Sequence, residues 1–218
     1  MLSQTYYVTK HTHSKQPQTS PQALKEYNIP KVMKKTVETN RNRILILANA
    51  GEANNIELAS KIANLGWKVI LVSHQLPAKP IPANIRFQRI HLPIAYPLSY
   101  LAFFEFALII LRYKPTIIHA FHLSDYGVLA GLSQRFLLSR RVLVSATGED
   151  INKDAFTLRG WSIKHILVLV EEVTCIDEAA KDAAIQLGTP KQRINLVSES
   201  VSSCMEFDTI YRKMLEKP

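Results

Sequence analysis

The stretch that decides the fold is Thr116–Ile151, TIIHAFHLSDYGVLAGLSQRFLLSRRVLVSATGEDI. Thr116–His119 is a short apolar run, read as a buried strand, and it feeds a polar loop holding His119, His122, Ser124 and Asp125. Tyr126-Gly127 opens an apolar helix that runs to about Leu138. Val142–Ala146 is a second apolar strand, and it ends in Thr147-Gly148-Glu149-Asp150. Two strands thus deliver polar groups from their carboxyl ends, the edge at which open α/β sheets bind ligands.

Upstream, the same grammar repeats. Arg43–Ala48 is a compact apolar run, followed by the polar loop Asn49–Asn54. Asn54 or Asn55 fits the cap of the next helix, whose apolar face is Ile56, Leu58, Ala59, Ile62, Ala63 and Leu65. Gly66 suits the left-handed turn that ends it, and Trp67–Ser73 is the second strand. That is a strand-helix-strand unit of the length a parallel crossover needs. Ile85–Ile90 reads as a strand near the sheet edge and Leu98–Arg112 as the most apolar helix of the chain, too short for a membrane span. Further on come a helix over Trp161–Glu172, a strand over Val173–Ile176, an Asp177-capped helix closed by Gly188, and a strand over Ile194–Val197. The fold class expected is α/β: a Rossmann-like, mostly parallel sheet with helices on both faces.

Composition narrows the classes. The chain has 218 residues, and its 47% apolar content is enough for a real core. Cys175 and Cys204 suggest reduced thiols rather than a disulfide framework. The formal charge is +9, but residues 1–43 hold eight Lys/Arg against two Glu, so most of it belongs to the amino terminus. Residues 1–42 are polar and without sustained period, and are expected to be disordered or loosely attached. They show no apolar h-region of a signal peptide. No basic motif interleaved with aromatics points to nucleic acid, and no nucleic-acid partner is expected. A G-x-G-x-x-G dinucleotide fingerprint, a P-loop and metal-ligand spacings are all absent from the sequence. Ser124, His122 and Asp125 are close in sequence without forming a triad signature.

Three pieces together resemble family 4 retaining glycosyltransferases, in their amino-terminal, acceptor-side half. They are Lys114-Pro115-Thr116-Ile117-Ile118-His119-Ala120, then Asp125-Tyr126-Gly127, then Thr147-Gly148-Glu149-Asp150-Ile151. Val173–Val201 also follows the family's pattern, except that Glu199-Ser200-Val201-Ser202 stands where the family has asparagine-glycine-valine-aspartate. The resemblance implies a single half of a GT-B enzyme over residues 43–205, with residues 206–218 as the start of an interdomain linker. It implies a nucleotide-sugar as donor substrate, no cofactor and no metal.

On that resemblance His119 is the candidate catalytic residue, orienting an acceptor hydroxyl. His122, Asp125, Gly148, Glu149 and Asp150 are candidates for acceptor binding. Gly51 and Asn54 are candidates for a donor-phosphate loop, although the family often has two adjacent glycines where this chain has Gly51 alone. His122 sits one position later than the family's second histidine, a place taken here by Phe121. The lysine or arginine groups that neutralise the departing diphosphate belong to the family's other half. A separate donor-domain chain is therefore an expected partner, beside a sugar or lipid-linked acceptor. The expected location is cytoplasmic, with a peripheral contact at the inner membrane face through the apolar helix as a minority reading. A non-catalytic binding module or truncated remnant of such an enzyme stays open as the alternative.

Overall fold

Nearly every residue of the central strands is buried on both sides, so both faces of the sheet must be covered. The computed structural model describes residues 42–94, 98–123, 125–137, 141–146, 158–198 and 203–217. The strands are β1 (Arg43–Leu47), β2 (Lys68–Ser73), β3 (Ile85–Arg89), β4 (Ile117–Phe121), β5 (Arg141–Ala146), β6 (Glu172–Cys175) and β7 (Ile194–Leu196). They form one seven-stranded sheet in the order β3-β2-β1-β4-β5-β6-β7. Every pairing is parallel; Ile46, for instance, stands beside Leu71 on one side and His119 on the other. This is the doubly wound order, which reverses between β1 and β4 and opens a crevice at their carboxyl ends.

The helices are α1 (Ala53–Asn64), α2 (Ser99–Tyr113), α3 (Asp125–Leu137), α4 (Leu158–Leu169), α5 (Glu178–Gln186) and α6 (Ser203–Glu216). One face of the sheet is covered by α2 to α5, through Phe106, Leu129, Ile166 and Ala184 among others. The other is covered by α1 and α6, through Ile56, Ile62, Phe207, Tyr211 and Met214. The strands and helices between residues 43 and 197 agree with the sequence reading to within a few residues at their ends. Asp177 caps α5 as expected, its Oδ1 accepting from the Ala180 amide at 2.6 Å.

One local expectation changes. The cap of α1 is Glu52, with extended φ and ψ of −99° and 117°, so the helix begins before Asn54 and Asn55. Asn55 instead turns its amide inward, donating to the Asn49 carbonyl at 3.0 Å and to Glu52 Oε2 at 3.0 Å. Residues 206–218 are the stretch expected as the start of an interdomain linker. Ser203–Glu216 is a helix whose Phe207, Ile210, Tyr211 and Met214 are buried. Their i, i+3, i+4, i+7 spacing makes one apolar stripe, which closes the sheet face that α1 alone leaves bare. Trp67 Nε1, just before β2, donates to Asp208 Oδ1 within α6 at 2.7 Å, and Lys217 Nζ, just past the helix, meets the fully buried Glu172 carboxylate of β6. Residues 1–41 lie outside the described residues. Among the described residues no helix is long and apolar enough to cross a membrane.

Gly131 shows how tightly the first face is packed. A Cβ there would stand 2.8 Å from Ile166 Cγ1 and 3.0 Å from Ile166 Cγ2, closer than real contacts allow. Gly131→Ala is expected to cost about 1–3 kcal/mol by overpacking α3 against α4. Adding Ile166→Ala removes the colliding atoms, so urea denaturation of the pair should show less loss than the two single costs summed.

Candidate functional site

The carboxyl edge of β4 to β7 opens into a pocket of about 170 Å³ between the start of α1 and the start of α6. Its position follows from the fold: strand ends supply Phe121, Ser145, Thr174 and Cys175, and the flanking loops supply His122 and Ser198. Phe121 and Phe207 give it aromatic walls, their rings stacked at 6.2 Å with 19° between planes. Among the described lining residues there is no Lys, Arg, Asp or Glu. The polar groups are hydroxyls, one imidazole and the Asn55 amide, suited to a neutral hydroxyl-bearing ligand lying on an apolar wall.

His122 is the predicted residue that the structure brings to this pocket. It follows the last residue of β4, in the left-handed region at φ +79°. Such a conformation in a residue with a Cβ is strained, and strain of this kind gathers at functional sites. Its Nε2 lies 3.9 Å from Glu52 Oε2, across the crevice between the β1 and β4 loops. A Cβ at Gly127 would come within 3.2 Å of the His122 carbonyl, so the start of α3 presses directly on this turn. Asp125 is the first residue of α3, an acid in the first turn of the helix. Gly148, Glu149 and Asp150 lie outside the described residues.

His119 takes a different place from the one expected of an acceptor-facing catalytic residue. It stands in the middle of β4, not at its end, and has no exposed surface. Its Nδ1 is 2.6 Å from the Tyr211 hydroxyl and its Nε2 is 2.7 Å from Ser145 Oγ. Ser145 Oγ in turn lies 2.7 Å from Thr174 Oγ1. A neutral ring donates from one nitrogen and accepts at the other, so both are occupied. Phe121, Phe207 and Tyr211 surround the ring at centroid distances of 4.6, 4.9 and 5.7 Å. The ring therefore sits behind the pocket floor, holding the Ser145 hydroxyl from beneath.

The first loop is also closed on itself. The Gly51 amide donates to Asn49 Oδ1 at 2.9 Å, and the Ala50 amide to Ser73 Oγ at 3.0 Å. The Glu52 amide donates to the Asn49 carbonyl at 3.2 Å. A phosphate cradle needs such amides free and pointing outward. Here they are bonded internally, and the Glu52 carboxylate stands at the helix start. Asn54 is exposed on α1 beside it. As folded, the Gly51 amide is engaged within the loop and Asn54 faces solvent.

Sequence reading missed Ser145, Thr174 and Ser198. The signal was available: each is a polar residue at or just beyond the carboxyl end of an apolar strand. Cys175 also lines the pocket, but burial pushes its thiol up to about 11, so it stays protonated and is a poor nucleophile. Among the described residues no group of three or more His, Cys, Asp or Glu is placed to hold a metal.

Burial lowers the His119 pKa from 6.5 to about 3. An unfolded chain would take up a proton on this ring below pH 6.5, and the folded chain refuses it. The stabilisation is therefore whole above about pH 6.5 and is lost as pH falls toward 3, at up to about 1.4 kcal/mol per pH unit. Urea denaturation between pH 7 and 5 should show this slope, and His119→Gln, which cannot titrate, should flatten it.

A family model described as glycosyl transferase 4-like matches residues 43–177, more than half of the chain. A search of curated proteins finds no match. Among solved structures, a sucrose-phosphate synthase fragment from Thermosynechococcus elongatus matches with a TM-score of 0.59 and 18% identity, covering 79% of this chain and 98% of that one. The lipopolysaccharide outer core galactosyltransferase WaaB matches at 0.55 and 12% identity, over 73% of this chain and 46% of that one. The UDP-GlcNAc 2-epimerase from Methanocaldococcus jannaschii matches at 0.53 and 15% identity, over 81% and 49%. The chain thus spans about half the length of the galactosyltransferase and the epimerase. At these identities the structures share the fold alone. The family match, over the residues that build the sheet from β1 to β6, decides that the chain belongs to the glycosyl transferase 4-like family.

Proposed function

We propose that this chain is the acceptor-binding half of a retaining glycosyltransferase that uses a nucleotide-sugar donor. The observation that carries this reading is the charge of the carboxyl-edge pocket: its described lining holds hydroxyls, His122 and aromatic walls, and no Lys or Arg. Glycosyl transfer must stabilise a departing diphosphate while positive charge develops on the sugar. A neutral pocket serves the attacking hydroxyl and leaves the diphosphate to other groups. Its size supports the same division. About 170 Å³ is well under the roughly 300–1,000 Å³ of a complete small-molecule site, as half of a cleft would be. In this reading His122 and Ser145 touch the acceptor, and His119 is a positioning residue that fixes the Ser145 hydroxyl.

The alternative is a binding module without catalysis. It is favoured by the closed first loop, in which the Gly51 amide is consumed by Asn49 Oδ1. The two readings separate on one preparation. The tagged full chain is purified from its native cells, partners are identified by mass spectrometry, and the complex is assayed for transfer from nucleotide-sugars. Transfer that falls roughly tenfold or more in His122→Ala and Ser145→Ala, with melting temperature preserved, supports the enzyme half. A monomer with no nucleotide-sugar-binding partner and no transfer leaves the binding module.

A further inference from the structure

The polar groups behind the pocket can be followed proton by proton. The Tyr211 hydroxyl is fully buried, and its one partner among the described residues is His119 Nδ1, 2.6 Å away. Were the ring proton on Nδ1, the Tyr211 proton would be buried without an acceptor, which is costly. Tyr211 therefore donates to Nδ1. The neutral ring then carries its proton on Nε2 and donates to Ser145 Oγ at 2.7 Å. Burial holds this direction: it lowers the His119 pKa to about 3 and pushes the Tyr211 hydroxyl well above its usual range, so neither group changes its protonation near neutral pH. Ser145 Oγ lies 2.7 Å from Thr174 Oγ1, and one of these hydroxyls donates to the other. Four protons thus serve three links. The fourth is left on Ser145 or Thr174, and both line the pocket.

Asn55 of α1 supplies the complement. It is 9% exposed and lines the same pocket. Both protons of its amide nitrogen are engaged, one by the Asn49 carbonyl and one by Glu52 Oε2, each at 3.0 Å. Both partners only accept, which settles which amide atom is the nitrogen. Asn55 has Oδ1 left to offer, and that atom has no partner among the described residues. Ser198, also on the lining, donates its own proton to Glu206 Oε1 at 3.1 Å.

We propose that the Ser145–Thr174 pair and Asn55 together select one neutral hydroxyl group of the acceptor, which accepts the leftover proton from the pair and donates its own to Asn55 Oδ1. One fixed donor and one fixed acceptor suit a group that does both. A hydroxyl does; an ether oxygen, a carboxylate or an ionised phosphate has no proton to give. In a pocket of about 170 Å³ a single ligand reaches both partners. The apolar walls sharpen the choice, because a wrong ligand leaves a polar group unpaired away from water. Asn55 and Thr174 thereby become specificity-determining residues, and Tyr211 is a positioning residue that acts through His119. The inference rests on the acceptor reading and names what that site selects: a sugar or polyol, recognised at one hydroxyl.

The first measurement is the His119 tautomer in the full chain, by long-range nitrogen–proton NMR correlation. A proton on Nε2 is expected. A proton on Nδ1 reverses the chain, leaves no hydroxyl proton for the pocket and overturns the proposal. The second is calorimetric titration with the methyl glycosides of glucose, galactose and mannose. At least one should bind saturably, and more tightly than glucuronate or glucose 1-phosphate. At one of its hydroxyls, replacement by hydrogen and replacement by methoxy should each weaken binding roughly tenfold or more, since methoxy accepts but cannot donate to Asn55. In Ser145→Ala/Thr174→Val the penalty for removing that hydroxyl should shrink severalfold. Circular dichroism checks that this variant folds, and the analogue series decides the matter if it does not. Tighter binding of either anion, no hydroxyl sensitive to both replacements, an undiminished penalty in the folded variant, or no saturable binding overturns the proposal. None of these measurements needs a donor half. A chain that selects the hydroxyl yet supports no transfer with any partner keeps this inference and loses the enzyme reading; transfer without such selection does the reverse.

Discussion

Parallel strands joined by crossovers must be covered on both faces, because their apolar side chains point both ways and water cannot be left against either. In this chain the constraint falls hardest on the face beneath α1. One helix is too narrow for the strands that present Ile44, Ile46, Ile117 and Leu143 there. The chain meets the demand with α6, which returns after β7 and lays Phe207, Ile210, Tyr211 and Met214 across the remaining surface. The segment that follows the last strand is therefore part of the core. The start of the same helix forms one wall of the pocket, through Ser203 and Phe207.

His119 ties these demands together. An imidazole placed among apolar side chains needs both nitrogens occupied and its proton refused. Tyr211 from α6 and Ser145 from β5 meet the first need, and complete burial produces the second. A histidine that looks chemical in sequence is thus spent on joining the covering helix to the pocket floor. The chemistry visible at the surface passes to His122, which leaves the strand through a left-handed turn.

The two edges of the sheet have different characters. The carboxyl edge is neutral, hydroxyl-bearing and aromatic; the amino edge is cationic, through Arg43, Lys68, Arg86 and Arg112, and adjoins an exposed apolar helix face. The crossover geometry keeps them apart: among the described residues the helices between strands run back toward the amino edge, and the strands end at the carboxyl edge.

The strands and helices were legible wherever apolar period and turn residues agreed, as at Ile44–Leu47, the α1 face ended by Gly66, and the Asp177 cap. The sequence by itself determined the parallel α/β fold, since strand-helix-strand units of this length permit little else. It also placed His122 and Asp125 at a strand end and a helix start. Only the tertiary structure decided which polar groups meet. Ser145, Thr174 and Ser198 converge from separate strands far apart in sequence, and local pattern carries no record of such distances. For the same reason it could not tell that His119 faces Tyr211, 92 residues away, or that the residues after Ser202 fold back as a covering helix. Periodicity reports which side of an element is apolar, and the partner of that side is chosen by packing alone.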